Sequence, residues 1–129
     1  MKNRPLRVLI IDDSQELLDG LQSAFADYSD RLEVAGTAAD AETGLEMLRE
    51  LDVDMVLLDM RLPGIDGVAA ARIAHLEKPD VPVVLMSATD SAERHREGIA
   101  AGAAAVLSKD GDVATLVSRM IEVGRGGGE

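Results

Sequence analysis

"VLLDMRLPGIDG", residues 56–67, carries an uninterrupted aliphatic run into a single carboxylate, Asp59, and from there into the turn chemistry of Pro63, Gly64 and Gly67. A short aliphatic run bounded by turn residues reads as a strand buried on both faces. Its terminal charge is the difficulty, because an isolated carboxylate is costly to bury unless it is paired, hydrogen-bonded or bound to a cation. Asp59 is therefore either exposed at the strand's end or placed beside something positive.

Outward from this stretch the same pattern repeats. Residues 6–11, 32–37, 54–58, 83–86 and 103–107 read as strands, and helical patterns fill the intervals between them. Leu17, Leu18, Leu21, Phe25 and Tyr28 lie at helical spacing behind Asp13 or Ser14, either of which can serve as N-cap. Ala41, Leu45 and Leu48 share one face of a second helix capped by Asp40, and residues 68–76 form a third that stops before Pro79. An Ala-rich fourth helix precedes the last strand. In the fifth, Val113, Leu116, Val117, Met120 and Ile121 recur at i, i+3, i+4, i+7 and i+8. Strands that are nearly continuous in aliphatic residues and alternate with helices call for a parallel sheet covered on both faces, an α/β fold.

Composition narrows the possible partners. The chain has 129 residues, 47% of them hydrophobic but with one Phe, one Tyr and no Trp, so its single core must be aliphatic. A net charge of −11 opposes broad-face binding to nucleic acid or to an anionic membrane. The absence of cysteine excludes a disulfide framework, and the apolar run Val8–Ile11 is too short for a signal-peptide core, which makes the cytoplasm the expected location. The closing "GRGGGE" reads as a flexible tail or the start of a linker, giving one domain over residues 1–123 and a Gly-rich segment over 124–129.

In open α/β sheets the functional crevice lies beyond the carboxyl ends of the strands. Here those ends carry Asp12 and Asp13, then Asp59, then Ser87, then Ser108 and Lys109. Each has an ordinary explanation alone, as a helix cap, a loop residue or a solvated charge. Together they place three acids, a hydroxyl and an amine on one edge.

Four motifs in this order, "IIDDS", "LLDMRLPGIDG", "LMSA" and "LSKD", resemble the receiver domain of bacterial two-component response regulators over residues 6 to 123. The resemblance implies a flavodoxin-like, doubly wound, five-stranded parallel sheet of order 2-1-3-4-5 with five helices. It further implies that Asp59 is the phosphoacceptor nucleophile, Lys109 the phosphoryl contact and Ser87 the switch hydroxyl. Mg²⁺ would be held by Asp13 and Asp59, by Asp12 directly or through a water, and by the backbone carbonyl of Arg61; oxygen-only donors suit that hard cation. A sensor histidine kinase is the implied phosphodonor, and a second copy of the chain, an output domain or an effector protein the further partners. The protein would catalyse its own phosphorylation and dephosphorylation as a signalling switch and not as a metabolic enzyme. Asp110 after the lysine resembles the NarL/FixJ-like subfamily, whose receivers usually precede a DNA-binding domain, so the resemblance implies either a stand-alone receiver or the regulatory half of a longer protein that regulates transcription through such a domain.

One departure and three rivals complete the reading. The family often has an aromatic residue three positions before the lysine, where this chain has Val106, so coupling of Ser87 to an aromatic side chain is not expected. The segment 90–102 offers mainly Ala92, Ile99 and Ala100 for burial and contains Gly98, which marks it as weakly anchored. Arg61 and Thr89 lie near the site by motif position, where they could tune water access, while His75 and His95 read as surface residues. A haloacid-dehalogenase-type phosphatase needs a second Asp where Arg61 stands, and a dinucleotide site needs a Gly-rich turn where "DDSQ" stands. The main alternative is a receiver-like interaction module that works without phosphorylation.

Overall fold

In the computed structural model, which describes residues 4–88, 91–109 and 112–125, alternate residues of the strands separate into two cores, one on each side of a sheet. The strands are β1 (Leu6–Ile11), β2 (Leu32–Ala38), β3 (Met55–Asp59), β4 (Val83–Ser87) and β5 (Ala105–Ser108). They pair in parallel in the order β2-β1-β3-β4-β5. Between and after them run α1 (Gln15–Phe25), α2 (Ala41–Glu50), α3 (Gly67–Glu77), α4 (Ala92–Ala100) and α5 (Val113–Gly124), with a 3-10 turn over Ala26–Tyr28 extending α1. This is the doubly wound, flavodoxin-like α/β architecture.

On one face Leu9, Ile11, Val56, Leu58 and Leu85 meet Leu45 and Leu48 of α2 and Ala70, Ala71 and Ala74 of α3. On the other, Val8, Ile10, Met55, Leu57, Val84 and Met86 meet Leu18, Leu21 and Phe25 of α1 and Val117, Met120 and Ile121 of α5. Each Val, Leu, Ile, Phe or Met among them contributes about 1.5–3 kcal/mol when fully buried. The cores therefore hold the carboxyl edge of the sheet rigid. None of the described helices is long and apolar enough to cross a membrane.

The helix starts are built from short polar side chains. Ser14 is the cap of α1, its Oγ accepting from the Leu17 amide at 3.2 Å, and Asp13 is exposed instead. Asp40 caps α2 through the Thr43 amide at 2.8 Å, Ser91 caps α4 through Arg94 at 3.3 Å, and Asp112 caps α5 through Thr115 at 2.7 Å. α3 differs, since Asp66 precedes it without a side-chain hydrogen bond to the helix.

Several boundaries differ from the sequence reading for local reasons. β3 begins at Met55 and includes Asp59, because Asp54 is drawn to the amino edge by Arg4 and by the Arg7 amide. β5 starts at Ala105 and not at residue 103, following Gly102, whose φ of +107° turns the chain out of α4. α5 continues to Gly124, which is seated directly against Leu6.

In α4 the expected burial is overturned: Ala92, Ile99 and Ala100 are all exposed, and Gly98 is the buried residue. A Cβ at Gly98 would stand 2.7 Å from Val106 Cγ2, 2.8 Å from Leu85 Cδ1 and 3.3 Å from Met60 Cε, so the helix approaches the sheet where it has no side chain. Val113, expected on the apolar face of α5, is 39% exposed in the first turn.

Candidate functional site

Asp12 follows β1, Asp59 ends β3 and Lys109 follows β5, so the sheet order places the β1 and β3 carboxylates on adjacent strands. Asp12 is fully buried and Asp59 is 5% exposed. Each is held by the same local device. Asp12 Oδ1 accepts from the Ser14 amide at 2.9 Å, and Asp59 Oδ1 accepts from the Arg61 amide at 3.2 Å. In both cases a carboxylate at the end of a strand turns back to the amide two residues on, a pattern natural to Asp.

The remaining oxygens meet a common cation. Lys109 Nζ stands 3.0 Å from Asp12 Oδ2 and 3.1 Å from Asp59 Oδ2. Its backbone is fixed as well, since the Lys109 amide donates to the Ser87 carbonyl at 2.9 Å. Among the described residues this buried Asp12 Oδ2 has no donor besides the Lys109 ammonium. One ammonium thus serves two buried carboxylates, and Asp13, exposed beside them, adds a third acid.

The charge imbalance shows in the protonation of the site. Burial pushes the Asp59 carboxyl above its ordinary value, the Asp12 charge pushes the same way, and the Arg61 amide and Lys109 only partly offset them. Burial works against the Lys109 ammonium, but its bonds to Asp12 and Asp59 outweigh that and raise it. One carboxylate oxygen each from Asp12, Asp13 and Asp59 can be chosen so that all lie within 4.8 Å of one another. An oxygen-only set of three acids, two of them buried and sharing one ammonium, fits a hard divalent cation.

The other residues singled out in the sequence are placed less tightly. Ser87 ends β4, buried, in register with Ser108. Arg61 is exposed; its contribution to Asp59 comes from its amide. Thr89, Asp90 and Asp110 lie outside the described residues, as do residues 126–129 of the Gly-rich segment. His95 is exposed, whereas His75 is half-buried with its ring against Gly102. The sequence reading missed the paired amides of Ser14 and Arg61, for which the only signal was an Asp at each strand end. It read Gly67 only as a turn residue, without the contact of its amide, which donates to the Met60 carbonyl at 3.0 Å immediately behind Asp59.

The chain is 40% identical over 128 residues to the transcriptional regulatory protein MctR of Rhizobium johnstonii, covering 98% of this chain and 59% of that protein. It is 35% identical over 112 residues to the response regulator GacA of Pseudomonas viridiflava, covering 87% of this chain and 52% of that one. It therefore spans little more than half the length of these curated relatives. Among solved structures, a chain of the CheX–CheY–BeF3–Mg²⁺ complex from Borrelia burgdorferi superimposes with a TM-score of 0.86 at 25% identity, covering 93% of this chain and 90% of that one. Residues 8–121 match the response regulator receiver domain, and the chain belongs to that family.

Proposed function

We propose that Asp59 accepts a phosphoryl group from a phosphorylated histidine of a sensor kinase and that the resulting aspartyl phosphate switches the receiver between two output states. The observation that carries this reading is the placement of Lys109 Nζ at 3.0 and 3.1 Å from the buried oxygens of Asp12 and Asp59. A structural ion pair needs one carboxylate per ammonium; this edge has an acid in excess, directed at the space where a cation and an incoming phosphoryl group would lie.

In this reaction an Asp59 carboxylate oxygen attacks phosphorus in line, the new O–P bond forms as the donor's N–P bond breaks, and the donor histidine leaves with the electron pair. The Arg61 amide holds Asp59 Oδ1 and so fixes which oxygen is free to attack. Lys109 is positioned to turn from Asp59 Oδ2 to a phosphoryl oxygen, offsetting the charge that the carboxylate no longer carries alone. Asp12, Asp13 and Asp59 with the Arg61 carbonyl would hold Mg²⁺, which when bound supplies charge neutralisation and orients the transferring group. The Ser87 hydroxyl would donate to the phosphoryl group and draw the loop after β4 inward, with α4 as the element whose position changes. The downstream partner is an output domain or effector protein, consistent with relatives that are transcriptional regulators.

The test is intact-protein mass spectrometry after incubation with acetyl phosphate, with and without Mg²⁺, on the wild type and on Asp59→Asn. A Mg²⁺-dependent gain of one phosphoryl group by the wild type alone is the expected result. Equal labelling of Asp59→Asn would remove Asp59 from this role. Absence of labelling, together with no beryllofluoride-induced shift around Ser87, would favour an interaction module independent of phosphorylation.

A further inference from the structure

The loop that follows Asp59 is tied off by a glycine in contact with the reacting residue's own backbone. Gly67 is buried, opens α3 and donates its amide to the Met60 carbonyl at 3.0 Å. A Cβ built on Gly67 would overlap the carbonyl oxygen of Asp59 and stand 2.6 Å from both Cα and the carbonyl carbon of Met60. These are backbone atoms of a fully buried strand end, where Met60 is 1% exposed and its amide is bonded to the Met86 carbonyl at 2.9 Å. They cannot swing aside as the tip of a side chain would. Gly64 in the same loop is the counterexample: its φ of +85° demands glycine, but a Cβ there would meet nothing within 4 Å.

We propose that Gly67 is a positioning residue for the reaction at Asp59: its missing side chain lets the start of α3 close on the Asp59–Met60 peptide and thereby sets the direction of the Asp59 carboxylate and of Arg61. The inference rests on Asp59 being the phosphoacceptor, but its structural content stands separately. With any larger residue at 67, either α3 moves away from β3 or the Asp59–Met60 peptide rotates. Rotation of that peptide carries the Arg61 amide away from Asp59 Oδ1, the 3.2 Å bond that selects the attacking oxygen. Misplacement of reacting groups by about 1 Å costs on the order of 100-fold in rate.

The experiment compares wild type, Gly67→Ala and Gly64→Ala at a temperature where thermal melts show all three folded. Initial labelling rates are measured across acetyl phosphate concentrations in saturating Mg²⁺, together with amide NMR spectra. Gly67→Ala should lose about 10-fold to 100-fold in maximal rate, with a smaller change in the half-saturating donor concentration, and should displace the Asp59 and Arg61 amide signals. Gly64→Ala should lower the melting temperature while keeping those signals and most of the rate. Wild-type rates in Gly67→Ala, or an equal loss in Gly64→Ala, would overturn the inference. If the wild type takes no phosphoryl group, the functional reading fails and the amide signals alone decide the positioning. If Gly67→Ala does not fold, hydrogen exchange of the wild type decides: a Gly67 amide as protected as those of β3 supports the grip, and one exchanging as fast as Gly64 overturns it.

Discussion

The two edges of the sheet both gather acids and bases, and they do it differently. At the amino edge Asp54 receives Arg4 in a two-pronged pair at 3.0 and 3.1 Å and the Arg7 amide at 2.9 Å. Arg7 in turn reaches Glu33 and the Asp52 carbonyl, both at 2.6 Å. There Asp54 and Glu33 each have their own guanidinium, and the Arg4 and Glu33 side chains are 47% and 45% exposed. At the carboxyl edge one ammonium faces two buried carboxylates, and a buried oxygen of Asp12 has no donor besides that ammonium among the described residues. A balanced cluster fastens strands together. An unbalanced one stores a deficit that a cation or phosphoryl group can relieve, which supports the reaction proposed for the carboxyl edge.

The largest effect that would sharpen this contrast is expected from Lys109→Ala. Removing the ammonium shared by Asp12 and Asp59 should reduce beryllofluoride-induced spectral change by about an order of magnitude while weakening Mg²⁺ binding much less, because in the proposed reaction the lysine turns to the phosphoryl group and not to the cation. Equal losses in a metal titration and in the beryllofluoride response would contradict that division.

A smaller effect concerns stability and pH. Because the folded protein holds the Asp59 proton to higher pH than the unfolded chain, ionisation of this group lowers stability. The loss begins as pH rises through the ordinary value of 3.8 and is complete above the raised folded value. Asp59→Asn should therefore melt a few degrees higher than the wild type at neutral pH without divalent cations, with the gain shrinking as pH falls toward 3.8. A mutant that melts lower, or a gain insensitive to pH, would show that Lys109 already compensates Asp59 in full.

The smallest effect belongs to the amino edge. The Arg4 side chain is 47% exposed in its pair with Asp54, so Arg4→Ala should cost less than about 1 kcal/mol and leave labelling unchanged. A labelling defect in this variant would break the comparison, since it would join the two edges functionally.

Much of this architecture was legible in the sequence, for physical reasons that also explain the exceptions. Strands buried on both faces have to be aliphatic throughout, so β1, β3 and β4 were visible within a residue or so of their ends. Asp12, Asp13, Asp59, Ser87 and Lys109 were visible because the ends of parallel strands are where polar groups can gather. The orientation of each carboxylate was not, since it depends on amides two residues on and on a lysine that arrives from β5. The burial of α4 was misread because a helical pattern identifies large buried residues: it pointed to Ile99, which is 44% exposed, and took Gly98 only as a weak point, although the absent side chain there is what lets the helix reach the sheet. The contact of Gly67 escaped for the same reason.

The seat of α4 on Gly98 has a kinetic consequence. A helix anchored by a branched residue must withdraw that residue from a socket before it can move, whereas α4 has no knob to withdraw. The surface beneath it, formed by Leu85, Val106 and the end of Met60, stays intact whether the helix is seated or lifted. Its amides should therefore exchange with solvent by local opening well before those of α2, which is pinned by Leu45 and Leu48. Among the residues beneath α4, Met60 is the one whose own backbone is held by Met86 and Gly67 beside Asp59, so a helix that lifts readily rests on a peptide that does not.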